Sequence, residues 1–205
     1  MRKLKLYIAV SLNGKIARDD GSVDWLEEVP NPDKLDFGYK DFYDSVDTTI
    51  QGHATYDQIM GWGIPFPYTG KKNFVVTRNP ERQDTEHVKF ISGDPVDFVR
   101  GLKSQGGSSD GLAGGESPGS KSSGSSDDSQ QGAGKDIWLI GGGQVNTLFL
   151  NAGLIDEMIL FVMPVILSDG IDLFSGVPED SSLELLVSRS WPNGVVELRY
   201  GRSVR

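Results

Sequence analysis

Two β-rich apolar runs in this sequence end in glycine and pass straight into a helical pattern, and that pairing restricts the chain to a small set of α/β architectures. The first run, Thr48–Gln51, leads through Gly52 into a helix over His53–Met60 with Tyr56, Ile59 and Met60 on one side. The second, Ile137–Ile140, leads through Gly141-Gly142-Gly143 into a helix over Gly143–Asn151, with Val145, Leu148 and Phe149 facing inward. Ala152-Gly153 ends that helix. A strand that feeds a helix through a tight turn is the unit of a parallel crossover.

The remaining segments extend the alternation. Leu4–Val10 reads as a buried strand, and Leu12–Pro30 as a polar loop with turn signals at Asn13-Gly14 and Asp20-Gly21. Asn31-Pro32 has the chemistry of a helix start, and Leu35, Tyr39, Phe42, Tyr43 and Val46 follow at helical spacing. Asn73–Thr77 and Val88–Ile91 read as strands, and Asp94-Pro95 opens a helix whose inward face is Phe98, Val99 and Leu102. Glu157–Val162, Leu183–Ser190 and Val195–Gly201 read as strands, the last two joined by a turn at Pro192-Asn193-Gly194. The pattern predicts a three-layer α/β fold, its sheet mainly parallel with antiparallel strands at the C-terminal end.

From about 104 to 134 the sequence is mostly Gly and Ser, and it lacks the apolar surface to offset the entropy of ordering. Neither flank holds a full set of elements without the other. The stretch is expected to be a flexible insertion in a single domain of 1–205, with an interdomain linker as the alternative.

The chain has no cysteine and two distant histidines, which excludes disulfides and thiol chemistry and leaves no expected metal site. A net charge of −9 argues against nucleic acid as a partner. The longest apolar stretch, Met158–Leu167, is interrupted by Pro164 and too short for a bilayer, so no membrane partner is expected. A soluble cytoplasmic protein is the expectation, and the same apolar stretch suggests a homodimer.

Each glycine turn offers the same physics. Backbone can approach a ligand closely at glycine, and the free amides and positive dipole end of the following helix attract anions. Thr55 adds a hydroxyl and His53 partial positive charge, while Gln144 and Val145 continue the second turn. A glycine at a strand end equally serves tight packing, so either turn alone says little. Two such turns fit a ligand with several phosphates. Thr77-Arg78, at the end of a third strand, would add a hydroxyl and a guanidinium fork, or would be a solvated turn. The spacing matches neither a Rossmann GxGxxG nor a P-loop.

Tyr7-Ile8-Ala9-Val10-Ser11-Leu12-Asn13-Gly14-Lys15-Ile16-Ala17 resembles the opening of the dihydrofolate-reductase-like superfamily, above all the reductase domain of riboflavin-biosynthesis deaminase-reductases and its stand-alone relatives. Gly52-His53-Ala54-Thr55-Tyr56 is similar to that family's Gly-Arg-x-Thr-aromatic turn, and Ile140–Val145 to its triple-glycine turn. Leu154–Met158, Pro164–Leu167 and Gly170–Phe174 follow in the family's order. The resemblance implies NADPH as cofactor. It places Ala9, Asn13, Gly14 and Ile16 by the nicotinamide, Gly52 to Thr55 and Gly141 to Val145 on the phosphates, and Thr77 and Arg78 on the adenosine side. His53 stands where the family has arginine, which leaves the choice between NADP and NAD open.

The resemblance also implies an NADPH-dependent oxidoreductase acting on a small pyrimidine- or pterin-type substrate. Reduction of 5-amino-6-(5-phosphoribosylamino)uracil is the first expectation. Dihydrofolate reduction and a non-catalytic nucleotide-binding or scaffold protein are the alternatives. Dihydrofolate reduction would use a buried carboxylate near the first helix, for which Asp36 is the candidate catalytic residue. Trp25 is a candidate substrate-binding residue, as part of a lid, or else a core residue, and Lys15 and Arg18 are candidate substrate-binding cations for a phosphate.

Overall fold

The computed structural model describes residues 1–105 and 134–203, so almost all of the predicted insertion lies outside the described residues. The elements are β1 (Leu4–Ser11), β2 (Lys15–Ala17), a 3-10 turn (Asp24–Leu26), α1 (Tyr39–Ser45), β3 (Val46–Gly52), α2 (His53–Gly61), β4 (Lys72–Val76), β5 (Lys89–Ile91), α3 (Pro95–Ser104), β6 (Asp136–Gly141), α4 (Gly143–Asn151), β7 (Ile155–Met163), β8 (Ile171–Asp172), β9 (Leu183–Ser190) and β10 (Val196–Arg202). Eight strands form one sheet in the order β5-β4-β3-β6-β1-β7-β10-β9. Neighbours from β5 to β7 run parallel, and β10 runs antiparallel to both β7 and β9.

Alternation along β1 shows how the sequence builds layers. Leu4, Leu6 and Ile8 point to one face with Val99 and Leu102 of α3 and Val145 and Phe149 of α4. Tyr7 and Ala9 point to the other, against Phe42 of α1 and Tyr56 and Ile59 of α2. Helices thus cover both faces of the sheet, giving three layers with a core on each side.

Local chemistry explains the ends of elements. The Asp94 carboxylate caps α3, accepting from the amides of Val96 (2.8 Å) and Asp97 (3.2 Å), with Pro95 at the first helical position. Both flanks of the undescribed stretch are tied to buried Arg2. Its amide donates to the Lys103 carbonyl (3.1 Å) and its Nε to the Lys135 carbonyl (2.5 Å).

Two expectations are corrected. The helix expected from Asn31 begins only at Tyr39. Asn31 closes a turn on Leu35 with both side-chain atoms (2.8 Å each), and Lys34, Phe37 and Gly38 all have positive φ, which no right-handed helix accommodates. The apolar run Met158–Leu167 is no open dimer face either. Most of it is β7, which lies parallel to β1 and hydrogen-bonds β1 on one side and β10 on the other.

Candidate functional site

Because β3, β4 and β6 run parallel, their C-terminal ends lie on one sheet edge, and so do the turns that follow them. The two glycine turns touch. A Cβ at Gly52 would lie 3.0 Å from Val145 Cγ2 and 3.9 Å from the Gly141 carbonyl oxygen, and one at Gly142 would lie 3.2 Å from Thr55 Oγ1. Glycine is favoured at these two positions by close approach and not by turn conformation. The peptide between Gly141 and Gly142 is cis.

Both helices that start here lack a side-chain cap: Gly52 precedes α2 and Gly142 precedes α4, and neither start receives a side-chain hydrogen bond. Their first amides remain available as donors at the positive ends of two helix dipoles. The contrast with α3, closed by Asp94, is direct. Exposed His53 and Ala54 begin α2, followed by half-buried Thr55. The third turn joins them, since Arg78 Nη2 lies 3.5 Å from Gln144 Oε1 on the first turn of α4. Thr77 is buried beside Arg78: its amide donates to the Ile91 carbonyl (3.0 Å) and its Oγ1 accepts from the Asn79 amide (3.1 Å).

The loop after β1 is drawn to the same edge. Asn13 Nδ2 donates to the Leu167 carbonyl (2.7 Å), and its Oδ1 accepts from the Leu167 amide (3.1 Å) and from Ser11 Oγ (2.8 Å). The Leu173 amide donates to the Gly14 carbonyl (2.9 Å) and the Ser175 amide to the Gly143 carbonyl (3.2 Å). Residues 172–175 therefore bridge the Gly14 turn and the start of α4. That packing is close enough that a Cβ at Gly143 would fall 2.3 Å from the Asp172 carbonyl oxygen. Ala9 and Ile16, both half-buried, lie on β1 and on β2, which pairs with β8.

Three candidate residues take places other than those expected, and Trp25 takes the second of its two expected places. Asp36 is exposed, and its carboxylate accepts from the amides of Gly38 (2.9 Å) and Lys40 (3.4 Å) at the start of α1. It is a helix-start group and not the buried carboxylate that dihydrofolate reduction would use. Trp25 is fully buried and belongs to the core, not to a lid. Lys15 pairs with Asp172 (2.6 Å), and Arg18 with Asp24 (2.6 Å) and Glu28 (3.2 Å). Neither cation stands ready for a substrate phosphate.

The buried acid on this face of the sheet is instead Glu197 of β10, which is 2% exposed and accepts from Arg199 Nε (2.5 Å). It shares a row with Phe161 and Ala9, since Glu197 pairs with Phe161 and Phe161 with Ala9. Beside that row, Tyr7 stacks on Phe42 with ring centroids 4.1 Å apart. Burial, and then the negative charges of Glu197 and Asp36, push the Tyr7 hydroxyl far above its ordinary range, so it stays protonated as a donor. The signal for Glu197 was present in the alternation of β10, where Val195 and Glu197 fall on the same inward side. An acid at an inward position of a strand is uncommon unless something holds it.

The RibD C-terminal domain family matches residues 129–196. A Bacillus subtilis (strain 168) protein, YwjB, itself uncharacterized, is 36% identical over 202 residues, covering 98% of this chain and 99% of that one. Among solved structures, a Shewanella sp. PV-4 protein assigned to riboflavin biosynthesis superposes with a TM-score of 0.76 at 25% identity, covering 98% of this chain and 99% of the other. Dihydrofolate reductase from Enterococcus faecalis, solved with NADP(H), superposes with a TM-score of 0.63 at 16% identity, covering 98% and 97%. The fold is the dihydrofolate-reductase-like one, a reductase-type fold. The chain belongs to the RibD C-terminal domain family. Among the described residues no helix is long and apolar enough to cross a membrane.

Proposed function

We propose that this protein is an NADPH-dependent oxidoreductase of the cytoplasm, a single domain over 1–205 that works as a homodimer on a small pyrimidine- or pterin-type substrate. The observation that carries the reading is the pair of uncapped, glycine-led helix starts lying side by side, with Arg78 at their rim. A cradle with little room for a Cβ, lined by free amides, fits the pyrophosphate of a dinucleotide. Gly52, His53, Ala54 and Thr55 hold one side of it, and Gly141, Gly142, Gly143, Gln144 and Val145 hold the other. Thr77 and Arg78 serve the adenosine end, Arg78 as the guanidinium that meets a ribose phosphate.

Ala9, Asn13, Gly14 and Ile16 set the nicotinamide end. Asn13 does so by fixing the loop through its bonds to Leu167. Bound NADPH supplies the hydride, and the chain supplies position and exclusion of water. The substrate ring lies against the Ala9 row, whose aromatic neighbours Tyr7 and Phe161 keep that region dry. The riboflavin-pathway intermediate 5-amino-6-(5-phosphoribosylamino)uracil is the leading substrate, supported by the family match and the Shewanella structure.

Fluorescence titration of NADPH and NADH against wild type and His53→Arg tests this reading. Binding of NADPH by wild type, tightened in His53→Arg, is the expected result. Absence of binding by either nucleotide overturns it.

A further inference from the structure

The last strand of the sheet is unlike the others. All eight residues of β9 are exposed, although the strand is fully paired with β10 along one edge. Leu183, Leu185, Leu186 and Val187 are 41%, 52%, 53% and 42% exposed, which gathers four large aliphatic side chains on a strand that ends the sheet. Free strand edges in monomers are defended by lysine, proline, bulges or cover; β9 contains neither lysine nor proline, and its one irregularity is a single bulge at Leu186. Its other edge carries a row of backbone donors and acceptors that no described strand uses.

The register names an occupant. Ser190, Arg189, Ser188 and Val187 pair with Val196, Glu197, Leu198 and Arg199, and Leu185, Glu184 and Leu183 pair with Tyr200, Gly201 and Arg202. Leu186 is the extra residue of a bulge in the ladder with β10, and the same bulge is taken to carry through to the free edge. With Leu186 left out, Val187 stands at the centre of the ladder. Ser188 and Leu185 are one step away on either side, Arg189 and Glu184 two steps, and Ser190 and Leu183 three. A twofold axis normal to the sheet at Val187 therefore sets Glu184 of one copy opposite Arg189 of the other, twice, and Val187 opposite itself. Opposed residues in an antiparallel pair share a face. Glu184, Val187 and Arg189 do share one, because their β10 partners Gly201, Arg199 and Glu197 alternate regularly. The strand is thus self-complementary in charge at Glu184 and Arg189 and in its unused backbone hydrogen-bonding row, with Val187 apolar at the axis.

We propose that β9 is the contact surface for a second copy of this chain, paired antiparallel with its own counterpart about Val187 to make one continuous sheet across two protomers. The inference rests on the homodimer part of the reading above and gives it a surface, in place of the buried β7.

Because the chain has no cysteine, Val187→Cys places a single thiol on the proposed axis, within disulfide reach of its mate. Oxidised Val187→Cys is expected to run as a covalent dimer on a non-reducing gel. Val177→Cys, on an exposed residue outside β9, is expected to stay monomeric on the same gel. In sedimentation, Glu184→Arg is expected to raise the dimer dissociation constant about tenfold or more, and Glu184→Arg with Arg189→Glu to restore it. NADPH titration of the same samples reads the cofactor proposal independently. Equal cross-linking of both cysteine variants, or a dimer indifferent to the charge changes, overturns the surface and leaves the homodimer standing. A wild type that stays monomeric at micromolar concentration overturns both, without touching the cofactor reading.

Discussion

The interlock of the two glycine turns makes a quantitative prediction. In Gly52→Ala the new Cβ would lie 3.0 Å from Val145 Cγ2, whereas carbon atoms rest at about 3.5–4.0 Å. The Val145 side chain or one of the two turns must then give by a few tenths of an ångström, and such overpacking costs about 1–2 kcal/mol. Val145→Ala removes two methyl groups from a side chain that is nearly buried, which costs about 1.5 kcal/mol at roughly 0.8 kcal/mol per group. In the double variant the obstructing methyl is gone, so the total should be close to that of Val145→Ala alone. The coupling in the cycle is then about 1–2 kcal/mol in favour of the pair. Urea melts of the four proteins measure it, compared at a common m-value. NADPH titration of the same four proteins should show Gly52→Ala weakened and the double variant partly recovered. Costs that add to within about 0.5 kcal/mol would show that the two turns do not bear on each other.

Three further outcomes are expected. Gly143→Ala should destabilise more than Gly142→Ala, by about 2 kcal/mol or more, because its Cβ meets the Asp172 carbonyl oxygen at 2.3 Å while that of Gly142 meets only a hydroxyl at 3.2 Å. Paired melts with equal midpoints would contradict the close docking of residues 172–175. Gln51 is fully buried and neither of its side-chain polar atoms has a partner among the described residues, so Gln51→Met should raise stability by about 1 kcal/mol. A lower denaturation midpoint would show that the amide is satisfied in solution. Burial pushes the Asp136 carboxyl upward, but the Lys5 ammonium at 2.8 Å and the Lys3 amide outweigh it and hold the group below its ordinary value. A depressed carboxyl adds stability above its unfolded value of about 3.9, and that stability is lost as the pH falls through the folded one. Thermal melts between pH 6 and 3 should therefore fall more steeply for wild type than for Asp136→Asn, and parallel curves would refute the assignment.

Much of the molecule was legible in the chain because local signals determine it. The glycine-led turns, the α4 boundaries and the Asp94 cap follow from propensity and periodicity, and each lies where short-range chemistry dominates. The helix expected from Asn31 failed for the opposite reason. Its apolar spacing was helical, but Asn31 bonds Leu35 and Phe37 turns into the left-handed region, and packing of Phe37 against Phe161 and Trp191 rewards that path. Asp36 was chosen by its place in the order of the chain, and only the fold shows that Glu197, far away in sequence, is a buried acid in the same row as Ala9, two strands away.

The sequence by itself determined the strand and helix units, the anion-binding character of two turns and the superfamily they resemble. The tertiary structure alone decided which ends meet: that Gly52 faces Val145, that Arg78 reaches Gln144, that β7 is interior and β9 is the free edge. Periodicity reports which side of an element is buried. Strand order and register report what it is buried against, and these depend on contacts between residues far apart in the chain, as Asn13 and Leu167 show with a separation of 154.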